Sequence, residues 1–238
     1  EANVETQIVQ GDGLAVEVKG TPDNFKVDYA DGFVQFKATD LPPIRMTGDV
    51  IFKDDVWRGE ATSFMEMARN IGRDTPIDIT YSLENGRGIA DVSIPEVIFR
   101  PSGLQPQMFI PALSGKVAEV TGRSDVKVHL EFAEGEPMKS SGTATLIDMN
   151  MGTLPGPLTG VNAELKFSSF FPLVSDGRQT LTIKSFDPGF PLPNGEVTFE
   201  TVPDGVKIYS ARWPMGTGFI SLDPTDWIYL AEENRMQL

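Results

Sequence analysis

His129 is the only histidine in this 238-residue chain, and there is no cysteine. These two counts remove most of the chemistry that a protein of this size could carry. A thiolate metal site and a disulfide framework are both impossible, and a zinc site built on several imidazoles is excluded. "DVKVHLEF" places His129 in an alternating stretch with Val126, Val128 and Leu130, where it reads as a strand residue and not as a general base. No G-x-S-x-G elbow is present to hold a nucleophile. "GDGLAV" (Gly11 to Val16) and "GTGFIS" (Gly216 to Ser221) carry G-x-G without the third glycine or a helical continuation, so they read as turns or bulges and not as phosphate cradles. The carboxylate groupings are Asp54-Asp55, the Glu131, Glu134 and Glu136 set, and Glu232-Glu233. None has the spacing of a twelve-residue calcium loop, and all three read as solvated turns or faces. A pocket for a small acid would need converging cations, whereas Arg100, Arg123, Arg178 and Arg212 are scattered along the chain. No enzyme, metal or cofactor is expected.

The formal charge of −14 and the pI near 4.5 argue against a nucleic-acid partner, whose phosphates require neutralisation by Lys and Arg. They also argue against electrostatic docking on anionic lipid surfaces. No run approaches the roughly 18 to 20 apolar residues that cross a bilayer as a helix. The chain starts at Glu1, without an initiator Met or a signal sequence, which reads as an interior or C-terminal fragment of a longer parent.

The elements that must position any site are strands. Leu14, Val16 and Val18 alternate with polar residues, as do Phe25, Val27 and Tyr29, and then Ile77, Ile79, Tyr81 and Leu83. Later runs are Val161, Ala163, Leu165 and Phe167, then Leu181 and Ile183, then Val197 and Phe199. Between the runs stand Asp12-Gly13, Asp31-Gly32, Asn85-Gly86, Asp176-Gly177, Asn194-Gly195 and Asp204-Gly205, whose residues tolerate positive φ as tight hairpins require. This is the pattern of an all-β antiparallel meander. One segment departs from it. In "SFMEMARNIG", Phe64, Met67, Ala68 and Ile71 share a helical face, Ser63 and Glu66 have capping-box spacing, and Gly72 can stop a helix, which predicts a short helix near residues 63–71. "PSGLQPQMFIP" (Pro101 to Pro111) reads as a joint between an N-terminal part, 1–112, and a C-terminal part, 113–238, of one continuous domain.

A meander has one apolar face that cannot stay in water, since its burial is worth roughly 25 cal/mol per Å². A second sheet, closure into a barrel, or an open trough receiving hydrocarbon chains would each cover it. Periodicity does not choose among them, and general sheet physics favours the first two.

"LSGKVAEVTGRSDVKVHLEF" resembles a strand pattern of the AsmA-like proteins that bridge bacterial envelopes. The stretch from Gly156 to Pro224 is closer still. Pro157-Leu158-Thr159-Gly160, Gln179-Thr180-Leu181, Asp187-Pro188-Gly189, Asn194-Gly195-Glu196-Val197 and Ala211-Arg212-Trp213-Pro214 together resemble the YdbH family, in a region that has also carried a "dicarboxylate transport" label. "GRGIADVSIPEVIF" and "GLQPQ" resemble it less specifically. The resemblance implies a long sheet curled into an open, taco-like groove with an apolar lining. It implies a periplasmic segment of a Gram-negative parent anchored in the inner membrane outside this fragment, which carries phospholipid toward the outer membrane. It also implies an outer-membrane lipoprotein partner docking on the parent by strand addition. The cargo would be phospholipid acyl chains. The lining candidates are Val161, Ala163, Leu165, Phe167, Leu181, Ile183, Val197 and Phe199. A structural envelope β-protein and a small-acid binding module are the alternatives.

"FDPGFPLPNGEV" (Phe186 to Val197) packs three prolines and two glycines into twelve residues. Asn194-Gly195 is expected to be the hairpin turn, Asp187-Pro188-Gly189 a turn of its own, and Phe190 to Pro193 an extended edge segment. Phe190 and Leu192 are then candidates for a groove rim, each packed against apolar neighbours.

Overall fold

The computed structural model describes residues 6–9, 15–21, 24–34, 44–65, 75–108, 110, 113–133, 136–170, 172–228 and 236–237. Strands follow one another along the chain: β1 (Thr6–Val9), β2 (Ala15–Thr21), β3 (Asn24–Val34), β4 (Ile44–Lys53), β5 (Val56–Met65), β6 (Thr75–Glu84) and β7 (Arg87–Phe99). Each of these pairs antiparallel with the next. After a 3-10 turn at Pro106–Met108 come β8 (Val117–Ala133), β9 (Lys139–Thr153), β10 (Leu158–Phe170), β11 (Leu173–Ser175), β12 (Gln179–Phe186) and β13 (Leu192–Val202). The last are β14 (Gly205–Met215), β15 (Gly218–Leu222), β16 (Thr225–Ile228) and β17 (Met236–Gln237). Among the described residues the fold is all-β and antiparallel, with no strand pairing that closes a barrel.

The chain divides into two compact units. One comprises Glu1–Pro95 with Lys127–Ser140, and the other Glu96–Val126 with Ser141–Leu238. β7, β8 and β9 each contribute part of their length to each unit. In the first unit, cross-strand register sets Phe25 opposite Phe52 and Phe52 opposite Trp57. Their rings stand 4.8 to 5.5 Å apart, an aromatic row of the kind that stabilises a sheet beyond its ladder. The second unit is a meander in which β10 pairs with β9 on one side and with β11 and β12 on the other. β12 pairs with β13, β13 with β14, and β14 with both β15 and β16. Short reversals join β9 through β16, so no long crossover lies among them with which to build a facing sheet.

The turn chemistry follows the sequence in part. Asn85-Gly86 reverses the chain between β6 and β7 with φ of 50° and 70°, the double positive-φ geometry that suits right-twisted hairpins. Asp54-Asp55 does the same between β4 and β5, at 54° and 60°. Asp176-Gly177 also lies at a reversal, and of Asp204-Gly205 only Asp204 does, with Pro203, because Gly205 already begins the next strand. Asp12-Gly13 lies outside the described residues. Two expected turns are not turns. Asp31-Gly32 lies inside β3 at a bulge, where the ladder to β4 jumps from Tyr29↔Gly48 to Gly32↔Met46. Asn194-Gly195 lies inside β13, with Pro193 opposite Ser185 and Gly195 opposite Ile183. The reversal there is the loop 187–191. Phe190–Pro193 is therefore not a separate edge segment, because Leu192 and Pro193 already belong to the β12–β13 ladder.

The short helix near 63–71 is also corrected at its start. Ser63, Phe64 and Met65 continue β5, opposite Met46, Arg45 and Ile44 of β4 and Ile77, Pro76 and Thr75 of β6. A two-turn helix must meet the full cost of nucleation, whereas a strand held between two neighbours satisfies its backbone on both sides. Residues 66–71 lie outside the described residues.

The Pro101–Pro111 segment is anchored by Gln105. Its Oε1 accepts from Val120 N at 3.0 Å, and its Nε2 donates to the carbonyls of Arg100, Leu104 and Val120 at 2.6 to 3.0 Å. Leu104 and Val120 beside it are, among the described residues, the large side chains less than 2% exposed, so the segment around Gln105 is packed.

Candidate functional site: an apolar sheet face in the second unit

Alternation in β10 buries Val161, Leu165 and Phe167 and half-buries Ala163, while Asn162, Glu164, Lys166 and Ser168 are exposed. β12 repeats this with Leu181 and Ile183 against exposed Thr180, Thr182 and Lys184. β13 does so with Val197 and Phe199. Register then joins the strands into rows. Val161 lies opposite Ile183, and Ile183 opposite Gly195. Ala163 faces Leu181, Leu181 faces Val197, and Val197 faces Ala211. On the other side, Leu165 faces Ala144 and Ala163 faces Leu146. Residues directly opposite in a ladder project to the same side. All eight lining candidates therefore share one face, which runs from β9 to β14.

Leu165, Phe167 and Phe199 form its buried centre, with Ala144, Leu146, Ala163, Phe170, Leu173, Leu181, Val197 and Val206 packed around them and only partly buried. The partial burial is the informative feature. The row Ala163, Leu181 and Val197 retains partial exposure, whereas the rows on either side of it, Val161 with Ile183 and Leu165 with Phe199, are buried.

Two details keep this face apolar and continuous. Gln179 projects a polar group into it, but its Oε1 accepts from Lys166 N at 2.9 Å and its Nε2 donates to the carbonyls of Asp176 and Gly177 at 3.0 and 3.1 Å. The side chain thereby staples the point where β10 leaves β12 for β11, and its polarity is spent on backbone. Gly195 is the second. A Cβ there would run into the indole of Trp213, which lies over the glycine and completes the row. Trp213 in turn stands 5.4 Å from the ring of Phe186.

The rim candidates separate. Leu192 is 3% exposed and packs as expected, whereas Phe190 is 49% exposed and does not. Phe190 stands near the tip of the loop 187–191, with about half of its surface in solvent. Sequence reasoning missed the β9 and β14 contributions. On β9 the alternation is shifted by a bulge against β10 and by positive φ at Asp148 (49°). On β14 a register shift beside Phe199 hides the pairing of Ile208.

Among the described residues the groups with catalytic potential do not assemble. His129 lies on β8 with Nδ1 2.7 Å from Asp91 Oδ1 and Nε2 3.7 Å from Glu131, so both ring nitrogens face carboxylates. Among the described residues no three His, Asp or Glu side chains gather as a metal site needs. Arg123 approaches Glu96, Arg178 stacks on Tyr209 at 3.9 Å and Arg212 on Phe219 at 3.9 Å, so these cations do not converge. An open cleft of about 520 Å³ in the first unit holds Arg87 and Lys139, but Glu84, Glu131 and Glu136 line it too, an unfavourable balance for a dianion. Among the described residues no helix is long and apolar enough to cross a membrane.

The chain matches the model of the YdbH-like family, described as intermembrane phospholipid transport protein YdbH, over residues 18–238. The chain belongs to the YdbH-like family. Membership sets an envelope context between two membranes and a lipid-transport role for the family, in accord with the resemblance carried by Gly156 to Pro224. Comparisons with curated proteins and with solved structures return no match.

Proposed function

We propose that the second unit is a lipid-conducting segment, along whose apolar face phospholipid acyl chains travel between inner and outer membranes. The observation that carries this reading is the in-register apolar face from β9 to β14, of which the row Ala163, Leu181 and Val197 is left partly exposed. Its dimensions suit the cargo. Strands about 4.8 Å apart make the five-strand face roughly 19 Å across. A leaflet's share of a bilayer core about 30 Å thick is roughly 15 Å, so an acyl chain laid across the strands fits within the face. Each methylene removed from water contributes about 0.8 kcal/mol, and a half-open face collects only part of that. Binding is therefore weak enough for a chain to slide from row to row. No bond is made or broken, and the family's phospholipid-transport description fits this physical mode.

In the same reading, the inner-membrane anchor belongs to a longer periplasmic parent, and so does the outer-membrane lipoprotein that adds a strand to it. Val161, Ala163, Leu165, Phe167, Leu181, Ile183, Val197 and Phe199 are the lining, and Leu192 packs behind the rim.

The test is native mass spectrometry and lipid extraction after gentle purification. Leu181→Asp is the informative variant, because Leu181 is only partly buried and the fold can hydrate a carboxylate there. Phospholipid should co-purify with the unaltered chain and with Lys184→Asp on the opposite face, and be lost from Leu181→Asp with its circular dichroism retained. Equal lipid content in all three would overturn the reading.

A further inference from the structure

The two strand ends of the second unit differ in chemistry. The β9–β10, β12–β13 and β14–β15 loops lie together at one end, since Leu158 pairs with both Met151 and Phe186, and Phe186 with Leu192. Their tips carry Leu154 at 81% exposure, Phe190 at 49% and Met215 at 55%. Across 154–157, 187–191 and 216–217 the one charged residue is Asp187. Its amide donates to the Pro157 carbonyl at 3.1 Å and its carboxylate accepts from Gly189 N at 3.0 Å. Asp187 is thus occupied in tying two of the loops together. The opposite end carries exposed Asp176, Arg178 and Asp204 within its reversals. In a chain of charge −14, an end this poor in charge is unusual.

We propose that the Leu154–Phe190–Met215 end is the mouth through which a phospholipid acyl chain passes onto the apolar face, while the Asp176–Asp204 end stays in water. This rests on the lipid-conducting reading and adds its direction of loading. Exposed apolar tips without charge let a hydrocarbon chain leave its membrane or neighbour without desolvating an ion, which a path over Asp176, Arg178 and Asp204 would demand. The side chains between the tips and Val161 and Ile183 are Leu192, Phe186 and Trp213, packed and all apolar, so a chain that parts them meets no charge on the way inward. The tie between the loops holds Leu154 and Phe190 as one lip. Phe219, also exposed, has the register of Pro214 and lies under Arg212, on the opposite face, and takes no part.

The test places a benzophenone photoprobe singly at Phe190, Met215, Leu181 and Asp204 of the full chain. Each form is irradiated with unilamellar vesicles of phosphatidylethanolamine and phosphatidylglycerol, and adducts are read by mass spectrometry. Lipid adducts at Leu181, Phe190 and Met215 but not at Asp204 are expected. The double variant Phe190→Asp, Met215→Asp should then lower the Leu181 adduct by roughly tenfold, since a chain would have to pass a carboxylate. Adducts at Leu181 with none at Phe190 and Met215, or with equal yield at Asp204, overturn the mouth and leave the conducting face standing. Protein-to-protein adducts at the tips without lipid also overturn it. No lipid at Leu181 overturns the conducting reading itself, and the mouth with it.

Discussion

Gly195→Ala isolates the packing that completes the apolar face. A Cβ at this position would come within 3 Å of three atoms of the Trp213 indole, a rigid ring and not the end of a flexible chain. The backbone at Gly195 is not left-handed, so the substitution carries no φ penalty. Loss of glycine freedom in the unfolded chain stabilises by about 0.4 to 1 kcal/mol. Overpacking against a fixed ring costs about 1 to 3 kcal/mol and wins. The net is a destabilisation of about 1 to 2 kcal/mol, which lowers Tm by about 2 to 8 °C for a protein of this size. Thermal unfolding followed by circular dichroism, with tryptophan emission reporting the displaced indole, measures it. Trp213→Leu removes the obstacle, so Gly195→Ala in that background should be neutral or stabilising, with a coupling of about 1 kcal/mol or more. A stabilising Gly195→Ala in the unaltered chain, or the same loss in both backgrounds, would refute the close approach of Trp213.

Two further outcomes follow from named contacts. Gln179→Leu strands the Lys166 amide in a part-buried site and should cost about 1 kcal/mol, read by denaturant titration, with faster hydrogen exchange at Lys166 than at Val161. Unchanged exchange at Lys166 would contradict the staple. The Tyr209 hydroxyl donates to Glu200 at 2.7 Å, and this bond, reinforced by desolvation and the carboxylate's charge, raises the phenol above 10.0 against the opposing Arg178. Because the folded state holds the proton more tightly, the contribution is complete below pH 10.0 and is lost as pH rises through the raised value. Glu200→Gln should lower the Tyr209 midpoint in an ultraviolet absorbance titration, and an unmoved midpoint would contradict that cause.

Much of this fold was legible because strand periodicity is local. Val161 through Phe167 alternate within one strand, and their side chains must share a face whatever lies around them. The same holds for Leu181 with Ile183 and for Val197 with Phe199, so the sequence by itself determined the all-β class and which side chains within β10, β12 and β13 share a face. The two misplaced turns show where local reading stops. Asn194-Gly195 has hairpin chemistry, but Trp213, eighteen residues on, uses the missing Cβ, and the ladder to β12 carries the chain straight through. Asp31-Gly32 is absorbed as a bulge for the same reason: neighbouring strands satisfy its backbone better than a reversal would. Ser63–Met65 has helical spacing and is strand because partners stand on both sides. What only the tertiary structure decided was how the rows of different strands align, that their middle row stays partly open, and that one strand end is apolar and the other charged. Each of these depends on which residues meet across the ladder, a non-local property that no single strand's periodicity contains.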